Sequence, residues 1–511
     1  MTNPKSTPDN APPSATDLRQ RATRGSLTIL LAEFVARIFD LVFIILLARI
    51  LSPKDFGIVA MGTTFTGFLG LFCSMGLAQP TIQREKLMNA QVSVLFWLSL
   101  SIGVTLMILT MIASPWIAYF FDEPDVQLIT TLLGISFVFA STETQPNALL
   151  TRRMQFARLA TARFIGTLVG GSLALTSACL GAGPYSLVFR VLGTTLITFS
   201  FTWWFSGFKP SRPQRAVGVG SMIRQGGFLT GFSIINYFAR HLDNILIGRF
   251  LGTAPLGLYG RVYGLTMLPI SLVTAPLAGV ILSTLSKLQN DRARLEKTYV
   301  KILRFVSILS FPIGMGMFLS AEELTIVLFG EAWEDSIPAL RWLALCVVFQ
   351  PLNYNHGNLY ITAGQTHKLF WWGLLSSLLI ILCFIIGIYG GSIESVARAY
   401  ALGITFLFIP GLTYAFRAAS LSVRPALLVF MRPLACTLGM AGCILFANVL
   451  LPLPAPKTVS LLVAKIFLGV ISYTALLCLI CRPEVRELFD MIRSQFPRKL
   501  NSPPPTTRDP R

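Results

Sequence analysis

Charge is scarce in this chain. Of its 511 residues only 13% are Asp, Glu, Lys or Arg, against 53% hydrophobic, too apolar a balance for an ordinary soluble enzyme of this length. The three histidines do not cluster. His356, in "NYNHGN", could line a cavity, but a lone histidine is more often a satisfied packing residue. The eight cysteines lie in or at the edges of apolar runs, and Cys478 and Cys481 form a CxxC with no second pair. They read as small hydrophobes, not as a metal or redox site. No glycine-rich nucleotide loop is present, which argues against direct ATP hydrolysis. No His/Asp/Glu grouping has catalytic spacing, and no cofactor is implied. The first 25 residues, "MTNPKSTPDNAPPSATDLRQRATRG", lack the apolar core of a cleavable signal peptide and read as a disordered cytoplasmic tail.

What the chain has instead is apolar runs of 20 or more residues, recurring from residue 26 to residue 481. That predicts an all-α, polytopic membrane protein. Fourteen spans are expected, near 26–48, 56–80, 92–118, 126–148, 160–182, 184–206, 226–248, 256–283, 303–329, 337–361, 369–390, 393–415, 431–452 and 458–480. Alternate loops are basic, such as "TRRMQFAR", "KPSRPQR" and "KLQNDRARLEKTYVKILR". The opposite loops, such as "FDEPD" and "GEAWED", are neutral or acidic. This positive-inside pattern places both termini in the cytoplasm. The net charge of +19 is therefore mostly topology, with contact to anionic membrane lipids, and not a sign of nucleic acid. After Arg482, Val485, Leu488, Phe489, Ile492 and Phe496 form one helical stripe, expected to lie on the membrane surface.

One span carries an anomaly. "LAEFVARIFDLVFIILLARI" (31–50) contains Glu33, Arg37 and Asp40, spaced by four and three residues and so on one helical face. Three charges near the bilayer centre cost up to about 8–10 kcal/mol, while each Leu, Ile, Phe or Val returns about 0.3–0.6 kcal/mol. Residues 27–51 hold 17 of these, so the sums nearly cancel. The segment inserts only if its charged face avoids lipid, and such a face is a functional candidate.

The chain also repeats itself. "ARILSPKDFGI" (48–58) aligns with "GRFLGTAPLGL" (248–258), matching Arg49, Leu51 and Gly57 to Arg249, Leu251 and Gly257. "VARIFD" (35–40) aligns with "FARHLD" (238–243), matching Arg37 and Asp40 to Arg240 and Asp243. Six spans precede the second copy, so the copies are parallel repeats. Arg37 and Arg240 would lie about 17 and 21 Å from the cytoplasmic end of their spans, near mid-bilayer, each with an Asp three residues on as local counter-ion. Glu33 matches Asn236 in the second copy. Arg190 in the sixth span and Glu143 in the fourth are further intramembrane charges, read evenly as functional or structural. Asn236, Gln145, Asn353 and Asn355 could face a sugar or hold helices together. Pro146, Pro269, Pro276, Pro312 and Pro410 interrupt or bound apolar runs, as hinges or static kinks.

The motifs "LLARILSPKDFG", "FTGFLGLFCSMGLAQPTI" and "QREK" occur in order over residues 46–86, and "LLTRRMQFARLA" follows the fourth span. In these the sequence resembles the Wzx-like polysaccharide flippases of the multidrug/oligosaccharidyl-lipid/polysaccharide exporter superfamily. The resemblance implies two six-helix lobes around a central cleft, residues 26–207 and 226–417, with spans 13 and 14 (431–481) appended. A linker, 208–225, and a basic tail, 482–511, would lie in the cytoplasm. It implies alternating access, location in the bacterial inner membrane, a lipid-diphosphate-linked oligosaccharide as substrate, and other polysaccharide assembly proteins as partners. Related lipid II flippases use arginines and acids on the first helix of each lobe. That role carries over to Arg37, Asp40, Arg240 and Asp243, with Glu33, Arg190 and Asn236 as further substrate-binding candidates. A drug exporter of the same superfamily would share the architecture, but its usually cationic substrates fit poorly beside central arginines. A membrane-embedded polysaccharide-processing enzyme would need a catalytic constellation, and the expected external loops are short.

Overall fold

A computed structural model describes residues 34–74, 77–84, 88–212, 237, 241–450, 459–480 and 482. Its helices are α1 (34–50), α2 (Pro53–Ser74), α3 (Ala78–Gln83), α4 (Asn89–Phe121), α5 (Asp125–Gly134), α6 (Ser136–Arg152), α7 (Phe156–Cys179), α8 (Tyr185–Ser206), α9 (241–250), α10 (Thr253–Lys287), α11 (Arg292–Leu319), α12 (Ala321–Phe329), α13 (Ile337–Thr362), α14 (Thr366–Tyr389), α15 (Ile393–Ala418), α16 (Arg424–Leu450) and α17 (Val459–Ile480). By length and composition, ten helical stretches of the described residues suffice to cross a membrane. The expected span 126–148 is built from α5 and α6, and 303–329 from α11 and α12. Two long helices, α10 and α13, fall outside the ten, and the stretches before α1 and α9 lie outside the described residues, as does the stripe at 485–496. Apolar side chains on α14, such as Leu375, Leu378, Leu382 and Ile386, stand exposed, as lipid-facing positions do.

The chain forms two compact units. One comprises residues 1–265, 324–343 and 373–404, the other 266–323, 344–372 and 405–511. In the first, the start of α2 is fixed by a reciprocal cap. Asp55 N–H donates to Ser52 Oγ (3.3 Å), and Ser52 N–H and Oγ donate to Asp55 Oδ2 (2.8 and 2.7 Å). Pro53 sits at the first helical position, where no N–H is needed. This is the physical content of the "LSPKDFG" motif: a sharp, pre-organised return into the bilayer.

That turn meets its own sequence match. A Cβ built on Gly57 would lie 1.8 Å from the Thr253 carbonyl oxygen, and one on Gly257 would lie 1.9 Å from that of Pro53. Residues 53 and 57 thus meet 257 and 253 reciprocally, as a two-fold contact requires. Around this crossing, Arg49 donates to the Val327 and Leu328 carbonyls at the end of α12. Its match, Arg249, stacks over Phe120 at the end of α4, 5.8 Å from the ring centre. Trp333, fully buried, donates its indole N–H to the Ala48 carbonyl (2.8 Å) and meets the Phe56 ring edge-on at 5.3 Å.

The second unit packs α11, α13, α15 and α16 around Leu303, Phe311, Leu352, Phe408 and Phe430. Helix α17 is attached through Cys436, Met440, Ile444 and Tyr473 and through one ion pair, Lys465 Nζ to Glu323 Oε1 at 2.5 Å. Both side chains are about nine-tenths buried. Removing one partner of such a pair strands the other charge, at about 3–5 kcal/mol. Lys465→Ala should therefore lower thermal stability sharply in detergent, while Lys465→Met with Glu323→Leu should recover most of the loss. Equal melting temperatures for the wild type and Lys465→Ala would contradict this.

Candidate functional site

The charge anomaly of the first span resolves into a group in the first unit. Asp40 on α1 accepts a hydrogen bond and ion pair from Arg190 Nη2 on α8. Arg261 on α10 lies within electrostatic range of both, and its guanidinium sits 4.6 Å from the centre of the Phe56 ring on α2. Counting residues from the ends of these helices at the α1–α2 turn puts Arg190, Arg261 and Asp40 about 8, 12 and 15 Å in. The reciprocal glycine crossing and the Phe56–Trp333 pair lie between the group and that end.

Four of the sequence-derived substrate-binding candidates, Asp40, Arg190, Arg37 and Asp243, fall among the described residues. Asp40 was expected to serve Arg37 as a local counter-ion. Its carboxylate is taken by Arg190 instead, 150 residues away. Sharing a helical face made that pairing possible, but the side chain points at α8. Arg37 lies one turn earlier on α1, exposed, with no ion-pair partner among the described residues. Asp243 on α9 is buried and accepts hydrogen bonds from the Asn244 N–H (2.8 Å) and the Tyr259 hydroxyl (3.2 Å). Glu33, Asn236 and Arg240 lie outside the described residues.

The remaining polar candidates are mostly occupied in holding helices. Gln145 is buried, accepting from Thr81 Oγ1 (2.8 Å) and donating to the Leu77 carbonyl (3.3 Å). Asn355 bonds back to the Pro351 carbonyl (2.8 Å). Glu143 takes Asn147 Nδ2 (3.2 Å) and Thr202 Oγ1 (3.5 Å). His356 is buried with its ring stacked on Phe408, 6.0 Å between centres.

Sequence reasoning missed Arg261. The signal was available: it is the one charge in "LGLYGRVYGLTMLPISLV", well inside an apolar run. It has no counterpart charge in the first copy, where an offset of 200 gives Met61, so repeat matching passed over it.

Chemically, the group holds two arginines and one carboxylate, with Arg37 nearby on α1. Its net charge is positive, in helices otherwise built for lipid. Guanidinium forks bind phosphate oxygens in pairs, with charge-assisted hydrogen bonds. An anion of diphosphate type could displace Asp40 from Arg190 and gain Arg261 in the same step.

Comparison with known proteins bears on the chain as a whole. The family model described as "polysaccharide biosynthesis protein" matches residues 46–338. The chain is 27% identical to the succinoglycan biosynthesis transport protein ExoT of Rhizobium meliloti (strain 1021), over 89% of this chain and 92% of that one. It is 26% identical to the teichuronic acid biosynthesis protein TuaB of Bacillus subtilis (strain 168), over 80% and 85%. It is 23% identical to the lipopolysaccharide biosynthesis protein WzxC of Escherichia coli (strain K12), over 72% and 76%. Among solved structures, the fold is similar to the lipid II flippase MurJ in its inward closed conformation, with TM-score 0.73, 15% identity, and 90% of this chain and all of that one covered. It is also similar to an inward-facing multidrug resistance MATE family transporter of the MOP superfamily, with TM-score 0.57, 16% identity, and 75% and 94% covered.

Proposed function

Because the chain belongs to the polysaccharide biosynthesis protein family, we propose that it flips a polyprenyl-diphosphate-linked oligosaccharide across the bacterial inner membrane for surface polysaccharide synthesis. The observation that carries the reading is the positive group Asp40–Arg190–Arg261 set inside apolar helices. An anionic headgroup explains an excess of arginine there, whereas the cationic substrate of a drug exporter would be repelled. The names of the relatives, which speak of succinoglycan, lipopolysaccharide and teichuronic acid, support the polysaccharide class. The fold shared with transporters supports export over polysaccharide-processing chemistry.

In this reading two six-helix lobes, 26–207 and 226–417, alternate access to a central cleft, with α16 and α17 appended. The reciprocal approach of Gly57 and Gly257 supports the two-fold relation of the lobes, and in the proposed cycle this crossing is the outer gate. Substrate enters from the cytoplasmic side, and its diphosphate exchanges with Asp40 on Arg190 and Arg261. Arg37, one turn away on α1, extends the cationic path toward mid-bilayer, and Arg240, Asp243, Glu33 and Asn236 remain further substrate-binding candidates by sequence. No bond is made or broken. The driving force is substrate flux or an ion gradient.

The testing experiment is uptake of defined polyprenyl-diphosphate sugars into liposomes holding the purified protein. Transport that ignores the diphosphate, or that favours lipophilic cations, would replace this reading with the drug-exporter one. The orientation has its own test. With both termini cytoplasmic, single cysteines at Asp122 and Arg212 should label from opposite sides of the membrane. Labelling of both from one side would refute it.

A further inference from the structure

The second unit contains a cavity of about 340 Å³ between α11 and α16 that the transport reading does not use. Arg304 and Arg432 line it, with Ile308, Leu428, Val429 and Pro433. Both arginines stand where charge ends. From Phe305 to Ala321, and from Pro433 to Leu450, the chain has no Asp, Glu, Lys or Arg. In a membrane, that level is the boundary between headgroups and acyl chains. The helical turns before Arg304 are basic as well, with Arg292, Arg294, Lys297 and Lys301, so the mouth of the cavity is on the basic end of both helices.

Interfacial arginines often do no more than reach up to water. Here two of them, from two helices, share one hollow. Among the described residues its inner wall is the buried Ile308 and Val429, and its rim is the exposed Leu428. Cation above and hydrocarbon below is the polarity of a phospholipid inverted. The volume is at the low end for ligand pockets, about 300–1,000 Å³, which suits a headgroup and not an oligosaccharide. Pro433 has no N–H, so the Val429 carbonyl one turn earlier lacks its ordinary i+4 helical donor. That leaves an acceptor for a headgroup hydroxyl beside the two guanidinium groups.

We propose that the cavity between α11 and α16 is a binding site for an anionic phospholipid, its phosphate held by Arg304 and Arg432 and its glycerol headgroup seated against Val429 and Pro433. The site is separate from the Asp40–Arg190–Arg261 group and does not depend on what that group transports. A lipid bound there ties α16, and through it α17, to α11.

The test is a thermal melt of the purified full-length protein in detergent, titrated separately with phosphatidylglycerol, phosphatidylcholine, inorganic phosphate and a polyprenyl diphosphate. Phosphatidylglycerol should raise the melting temperature saturably, and phosphatidylcholine and phosphate should not. Arg304→Gln with Arg432→Gln should weaken the phosphatidylglycerol response at least about tenfold, the loss expected when charge-assisted hydrogen bonds go. Arg432 is exposed, so Arg432→Gln alone keeps the fold and should show the same direction if the double variant is unstable. An equal response to phosphatidylcholine, an equal response to free phosphate, or an unchanged response in the variants would each overturn the proposal. A stronger response to polyprenyl diphosphate, abolished by the same variants, would reassign the cavity to the transported lipid.

Discussion

Arg190→Lys should cut polysaccharide export by an order of magnitude or more, although it keeps the charge. A lysine presents a point charge and cannot offer a diphosphate the paired donors of a guanidinium. If the Arg190–Asp40 pair only joined α8 to α1, lysine would serve Asp40 nearly as well and export would hardly change. Asp40→Ala acts in another way. It leaves Arg190 and Arg261 together without their carboxylate, so the two cations repel and bind anions more avidly. Substrate would then enter but leave slowly, and export should fall while binding of polyprenyl diphosphate tightens. The double change Asp40→Ala with Arg190→Ala separates the readings most sharply. It strands no partner of the pair, so a structural pair predicts a mild phenotype. The transport reading predicts a non-exporting protein present in the membrane at normal levels. Full complementation of an export-deficient strain by that double variant would remove this group from substrate handling.

Gly57→Ala should have an effect of similar size for a steric reason. The new methyl carbon would lie 1.8 Å from the Thr253 carbonyl oxygen, a backbone atom held in the first turn of α10. No rotamer relieves that overlap, so α2 and α10 must separate. Gly257→Ala meets the Pro53 carbonyl in the same way. If the crossing closes the outer side of the transporter in one state and opens in another, either substitution traps the open state. Export should be lost with the protein still inserted, and a cysteine beside the group, at Phe56, should label faster from outside than in the wild type. Loss of the protein from the membrane would show the crossing to be a permanent junction instead. Normal export from both alanine variants would mean that these two turns never come so close.

The sequence alone determined the class of the protein and much of its layout. Long uncharged runs have few solutions besides membrane helices, since a buried backbone must satisfy its own hydrogen bonds. The turn into α2 was legible because its short motif has local causes. Serine and aspartate cap the first α2 turn, proline starts it, and glycine permits a crossing. The anomaly of Arg37 and Asp40 was legible as an insertion cost, which depends on composition and depth only.

Which charges meet was decided by tertiary structure. A helical face carries a direction but not the identity of the neighbour, and Asp40 found Arg190 on α8 instead of Arg37 on its own helix. Arg261 joined them through the crossing of α2 and α10, a contact between residues about 200 apart that no local pattern encodes. The same holds for Lys465 and Glu323, which lie 142 residues apart in the sequence and are one buried pair in the fold. Desolvation makes each of these charges costly alone and tolerable together. The cost is written in the composition of a helix, and the compensation depends on which helix packs beside it.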